Sequence, residues 1–113
     1  MMDMQFTDVG GVTKAVLGGR LDSLSVGEVE TRFIANIVPR EQSAVIDLSQ
    51  VSFIASLGIR MLLGTARALG RNGAKLALFG ATDPVMEIIE TTAIAEIIPV
   101  VGSEAEALAL VNA

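Results

Sequence analysis

The spacing of apolar positions along this chain switches repeatedly between the two-residue period of strands and the 3.6-residue period of helices. Residues 4–8 and 12–18 read as a short strand pair around Gly10-Gly11, with Gly18-Gly19 ending the second strand. Ser25 and Glu28 stand at capping-box spacing, and Val26, Val29, Phe33 and Ile37 follow at helical intervals, so a helix is predicted over about 25–38, stopped by Pro39. Ala44–Leu48 and Lys75–Phe79 are compact β-rich runs typical of buried strands. A helix over 56–71 lies between them. Asp83-Pro84 reads as an N-cap followed by proline at the first helical position, opening a helix through about Thr91. A last strand is expected at Ile97–Val101. Ser103 with Glu106 then begins a terminal helix that carries Ala105, Leu108 and Leu110 or Val111. The order β-β-α-β-α-β-α-β-α implies an α/β fold, with a mixed, mostly parallel sheet and helices packed on it.

Composition narrows the function. A chain of 113 residues, 51% hydrophobic and 19% charged, suits one domain over 1–113 with a packed core. Thirteen acidic against eight basic residues give a net charge of -5, which repels phosphate backbones and disfavours nucleic acid and anionic membrane surfaces as partners. Without cysteine there is neither a disulfide framework nor a thiolate metal site, and without histidine the commonest metal ligand and general base is missing. No metal or cofactor is expected, and enzymatic function is disfavoured. The start, Met1-Met2-Asp3-Met4-Gln5, lacks the pattern of a signal peptide, and Met1, Met2 and Met4 read as a loose chain end. No apolar run is long enough to span a membrane, so a cytoplasmic protein without membrane insertion is expected.

The segment leaving the third strand, Ala55-Ser56-Leu57-Gly58, resembles the Asp-Ser-Ser/Thr-Gly motif at a helix start in STAS domains, agreeing at two of its four positions. Val45-Ile46-Asp47-Leu48-Ser49-Gln50-Val51 is similar to the family's strand leading into that motif, and Leu17-Gly18-Gly19-Arg20-Leu21-Asp22 to its Gly-x-Leu-Asp element. The chain resembles the bacterial anti-sigma factor antagonists over nearly its whole length. That resemblance implies a partner-switching role in signal transduction and transcription regulation. An anti-sigma factor that is also a serine protein kinase would phosphorylate Ser56, and Asp22 would lie near the partner surface. Ala55 replaces the family's acidic residue and Leu57 its second hydroxyl. A scaffold that is never phosphorylated, or the cytoplasmic subunit of a membrane transport assembly, is the alternative.

The physics of Ser56 is compatible with both, because a helix N-terminus stabilises a phosphate and serine is equally an ordinary N-cap. On a helical wheel of 56–71, Ile59, Leu62, Leu63, Ala66 and Leu69 form the core side. Leu57, Met61, Gly64 and Ala68 form the other, bordered by Arg60, Arg67 and Arg71. Small and apolar side chains turned outward mark a partner-binding surface at Leu57, Arg60, Met61, Gly64, Arg67 and Ala68, or burial by a neighbouring helix or a homodimer, and the resemblance adds Asp22 and Gly58 to that surface. Asp47 lacks the acidic pair that a phospho-accepting receiver aspartate needs. The paired glycines do not form a phosphate-binding loop. A Ser–Lys hydrolase built from Ser56 with Lys14 or Lys75 has no oxyanion site in the pattern.

Overall fold

The computed structural model describes residues 2–113, with side chains from residue 3 onward. Among the described residues, five strands form one sheet in chain order: β1 (Met2–Val9), β2 (Val12–Leu21), β3 (Ala44–Ile54), β4 (Leu76–Phe79) and β5 (Val100–Val101). The helices α1 (Ser23–Ile37), α2 (Ser56–Gly70), α3 (Asp83–Thr91) and α4 (Glu104–Val111) alternate with the strands after the opening hairpin, in the order expected. β1 and β2 are antiparallel and the remaining neighbours parallel, which makes the sheet mixed.

Gly10 (φ 58) and Gly11 (φ 85) turn the hairpin, both in the positive-φ region that a two-residue turn of this hand requires. Asp8 Oδ1 accepts from the Gly11 N–H at 3.0 Å and fixes the turn. β2 does not stop at Gly18-Gly19; it continues to Leu21 through two shifts of register against β3. At each shift β3 carries one residue more than β2, so its positions in the main core run Ala44, Ile46, Leu48, then Val51 and Ile54. These bulges interrupt the two-residue period after Leu48, which is why the strand reads shorter in the sequence than it is.

α1, α2 and α3 share one face of the sheet, and their buried side chains join those of β1–β4 in the main core, with Phe33, Leu17, Ile46, Leu62 and Ile89 fully enclosed. α4 packs on the opposite face, where Ala107 and Val111 meet Val12, Val45, Ala77 and Phe79. Lys14 and Glu104 close that contact with an ion pair. Of the apolar positions expected along α4, Val111 is buried and Leu108 half-buried, whereas Ala105 and Leu110 are exposed.

Three further boundaries differ from expectation. α1 begins at Ser23 with Asp22 as its N-cap, so Ser25 occupies the third helical position rather than the cap. Thr82, not Asp83, holds the cap position of α3. β5 starts at Val100, because Ile94–Glu96 form a 3-10 turn, Ile97 faces solvent and Pro99 has no N–H to give the ladder. Met4, expected in a loose start, is 8% exposed and lies in the core on β1; Met1 is outside the described residues.

Candidate functional site

The carboxyl ends of β2 and β3 lie side by side, and α1 and α2 start there. Open parallel sheets gather their functional groups at this end. Asp22 caps α1: its Oδ1 accepts from the Ser25 N–H at 3.0 Å, while the Asp22 N–H donates to Ser25 Oγ at 3.0 Å. The Ser25 hydroxyl donates in turn to Arg20 O at 2.6 Å. The Ser25 N–H holds the Asp22 carboxyl below the usual carboxylate range, helped by the Ser25 hydroxyl and Arg20 and opposed by partial burial. Arg20 Nε stands 3.5 Å from Asp22 Oδ2, and its guanidinium lies 4.5 Å from the centroid of the Phe53 ring.

α2 begins differently. Its cap position is Ala55, extended at φ -91 and ψ 172, with no side chain able to cap. Ser56 is the first helical residue, exposed and without a hydrogen bond from its side chain among the described residues, so the plain capping role considered for it is not the one it has. The N–H groups of the first turn are thereby left to solvent or to an incoming acceptor. The Ala55 N–H donates to Leu21 O at 2.9 Å, tying the start of α2 to the end of β2. Gly58 lies against the same residue: a Cβ there would sit 2.8 Å from Leu21 Cγ and 3.0 Å from Leu21 O. The small residue of the motif is a requirement of packing.

Of the residues expected on the outer face of α2, Leu57, Arg60, Gly64 and Arg67 are exposed and Ala68 is half-buried. Met61 is not on that face, and Gly58, expected at the partner surface from the motif, is buried. Met61 is 1% exposed and belongs to the main core together with Val26, Val29 and Phe33 of α1. The wheel placed the centre of the buried side against the sheet alone, whereas α2 also packs on α1, which extends its enclosed arc over Gly58, Ile59, Met61, Leu62, Thr65 and Leu69. The Thr65 hydroxyl is satisfied by donating to Met61 O at 2.8 Å.

Leu24, Arg20 and Phe53 were not anticipated. Leu24, in the first turn of α1, is 75% exposed, and Leu57 is 38% exposed on the neighbouring helix start. Leu24 falls outside the Val26-Val29-Phe33-Ile37 stripe, which is the sequence signal that would have found it. Lys14 and Lys75 are engaged elsewhere, with Glu104 and with Ala113 O, and neither forms a hydrogen bond with Ser56. Among the described residues no group of acidic side chains is placed to hold a metal, and no helix is long and apolar enough to cross a membrane.

A sequence profile described as the STAS domain matches residues 3–107. The chain is 29% identical over 91 residues to the anti-sigma-B factor antagonist of Staphylococcus aureus, spanning 80% of this chain and 84% of that protein. The crystal structure of an anti-sigma factor antagonist from Mycobacterium paratuberculosis superimposes with a TM-score of 0.90 at 24% identity, over 100% of this chain and 96% of that one. The murine anion transporter Slc26a9 contains a region of the same fold, with a TM-score of 0.74 at 18% identity, covering 94% of this chain and 18% of that one.

Proposed function

From the premise that this chain belongs to the STAS domain family, we propose that it is a cytoplasmic protein-binding regulator of the anti-sigma factor antagonist kind. Its partner is an anti-sigma factor or serine kinase, held at the end of the sheet where α1 and α2 begin. One observation carries the reading. Ser56 stands exposed on the uncapped start of α2, at the same end as the exposed Leu24 and Leu57, with Asp22 at the neighbouring helix start. Apolar side chains in that setting gain by exclusion from water when a partner covers them. A phosphate on Ser56 is tolerated by the helix end itself, since free N–H groups and the helix dipole favour an anion there. Arg60, four residues on, partly neutralises it. The same dianion must be stripped of water if a partner closes over Leu24 and Leu57, so phosphorylation opposes binding. The chemistry of the site is recognition, and we assign it no catalytic step.

The test measures the affinity of four forms for the cognate anti-sigma factor. Ser56→Ala should bind like the wild type, Ser56→Asp should bind more weakly, and Leu24→Asp should lose binding without unfolding. Incubation with the kinase and ATP should place phosphate on Ser56 and on no other serine. Equal affinities of the two Ser56 variants, with no phosphate incorporated, would leave the second reading, a STAS scaffold or transporter subunit that is not switched. Ala55 and Leu57, which differ from the family motif, are the residues that favour it.

A further inference from the structure

The face of the sheet opposite α1, α2 and α3 is covered by α4, and little holds α4 there. It is eight residues long, a length at which a helix has no stability of its own in water. It buries Ala107 and Val111 against Val12, Val45, Ala77 and Phe79, with Leu108 half-buried beside them, while Ala105, Glu106, Ala109 and Leu110 face solvent. A half-open groove of about 390 Å³ is lined by Leu110 and Val111 together with Leu76, Ile97 and Pro99, so the last turn of α4 stands beside open space. Two lysines from other parts of the fold reach the ends of this helix. Lys14 of β2 pairs with Glu104 in the first turn, and both side chains are partly shielded from solvent. Lys75, one residue before β4, donates from Nζ to Ala113 O at 2.9 Å, just beyond the last turn. α4 has acidic residues in its first turn and no basic residue in its last, so Lys75 supplies the cation that the negative end of the helix dipole favours.

We infer that α4 is a strap that opens and closes over this face as a unit of its own, with Lys14 and Lys75 latching its two ends. Gly102 and Ser103, both exposed, join it to β5, so it can leave without breaking the ladder of β5 on β4. Its helix is lost with its contacts, because eight residues do not stay helical alone. Val12, Val45, Ala77 and Phe79 are then uncovered. The main core on the other face draws no residue from α4 among the described residues, and Ile46, next to Val45, belongs to it. An opening that exposes one small cluster and spares the main core lies below global unfolding in free energy. The charge on the two lysines sets how often it occurs, since neutralising either one frees an end. Nothing in this inference depends on Ser56 or on the partner proposed for it.

The chain has no cysteine, so single introduced thiols report the opening. Val45 faces α4 and Ile46 faces the main core, and both are fully buried. Iodoacetamide should modify Val45→Cys at least about tenfold faster than Ile46→Cys, and with a shallower dependence on urea, because opening of α4 uncovers less surface than unfolding does. In the Val45→Cys chain, Lys14→Met and Lys75→Met should each speed modification about fivefold. Lys14→Glu should speed it further, and adding Glu104→Lys should restore the slow rate, which a loss of packing alone would not allow. Amide exchange on the cysteine-free chain reads the same event if a thiol variant does not fold. The amides from Ala107, bound to Ser103 O at 3.1 Å, to Val111 should exchange ahead of that of Ile46, again with the smaller urea slope. Equal rates and equal slopes, for the two thiols or for the two sets of amides, would mean that α4 opens only with the whole fold and would overturn the inference. So would lysine substitutions that leave the Val45→Cys rate unchanged.

Discussion

Ala55 and Met61 lie within six residues of each other and teach opposite lessons about side chains at this site. Ala55 has the extended backbone of an N-cap but no atom to cap with. Ala55→Asp should therefore stabilise the protein by about 1 kcal/mol, read as a raised urea midpoint with an unchanged slope. Ser56→Ala should leave stability nearly the same, since Ser56 is not the cap. Met61 is the reverse, apolar and taken for surface but enclosed. Met61→Ala should lose about 2–5 kcal/mol, and Met61→Asp should lose more because its carboxylate would have no partner in the core. Leu57→Asp, on the same helix but exposed, should stay within about 0.5 kcal/mol of the parent. Chemical denaturation of the three variants separates surface from core.

Elements were legible in the sequence wherever one face alone decides burial. The hairpin turn, the α1 stripe from Val26 to Ile37 and the Ser103 cap of α4 each follow from a period or a turn residue that needs no distant partner. Two things depend on contacts remote in sequence, the direction in which α2 turns its buried arc and the continuation of β3 past its bulges, and neither could be read locally. The functional end suffered most. Ser56 and Asp22 were placed by the motif, but Leu24 and Phe53 join them only through the pairing of β2 with β3. The α1 cap also gives a prediction in pH. Because the folded chain holds Asp22 ionised below its ordinary range, the unfolded chain binds the proton more readily. Its contribution is present above about pH 4 and is lost as pH falls through the lower folded value. Asp8 behaves alike through the Gly11 N–H and then the Gln42 amide. Melting temperatures followed from pH 7 to about pH 2 should fall less steeply in Asp22→Asn, and less again with Asp8→Asn added, than in the parent.

Charge is unevenly distributed over the whole molecule. Residues 48–82 carry Arg60, Arg67, Arg71 and Lys75 with no acid, while the rest of the chain holds every carboxylate side chain against four cations. Arg60, Arg67 and Arg71 are exposed and form no ion pair among the described residues. A protein of net charge -5 thus presents a basic helix beside its proposed recognition surface. If the partner's matching face is acidic, association should slow as salt rises from about 0.05 to 0.5 M, with dissociation little changed. Arg67→Gln with Arg71→Gln should reproduce that slowing at low salt. Surface plasmon resonance separates the two rates, and association indifferent to both salt and substitution would exclude steering by α2.

The hydrogen bond from Ala55 to Leu21 and the close approach of Gly58 to the same leucine tie the starts of α1 and α2 together. Apart from the phosphate proposed for Ser56, a surface tied in this way is either vacant or occupied. It cannot pass on the identity of its occupant by changing shape, because a ligand shifts only an equilibrium that exists. Information leaving such a protein is carried by competition for occupancy. Two proteins that both use this face should therefore displace one another completely, the apparent dissociation constant of one rising in proportion to the concentration of the other without a plateau. Gly58→Ala, by pushing α2 away from Leu21, would loosen that lock and lower the affinity for both competitors in parallel.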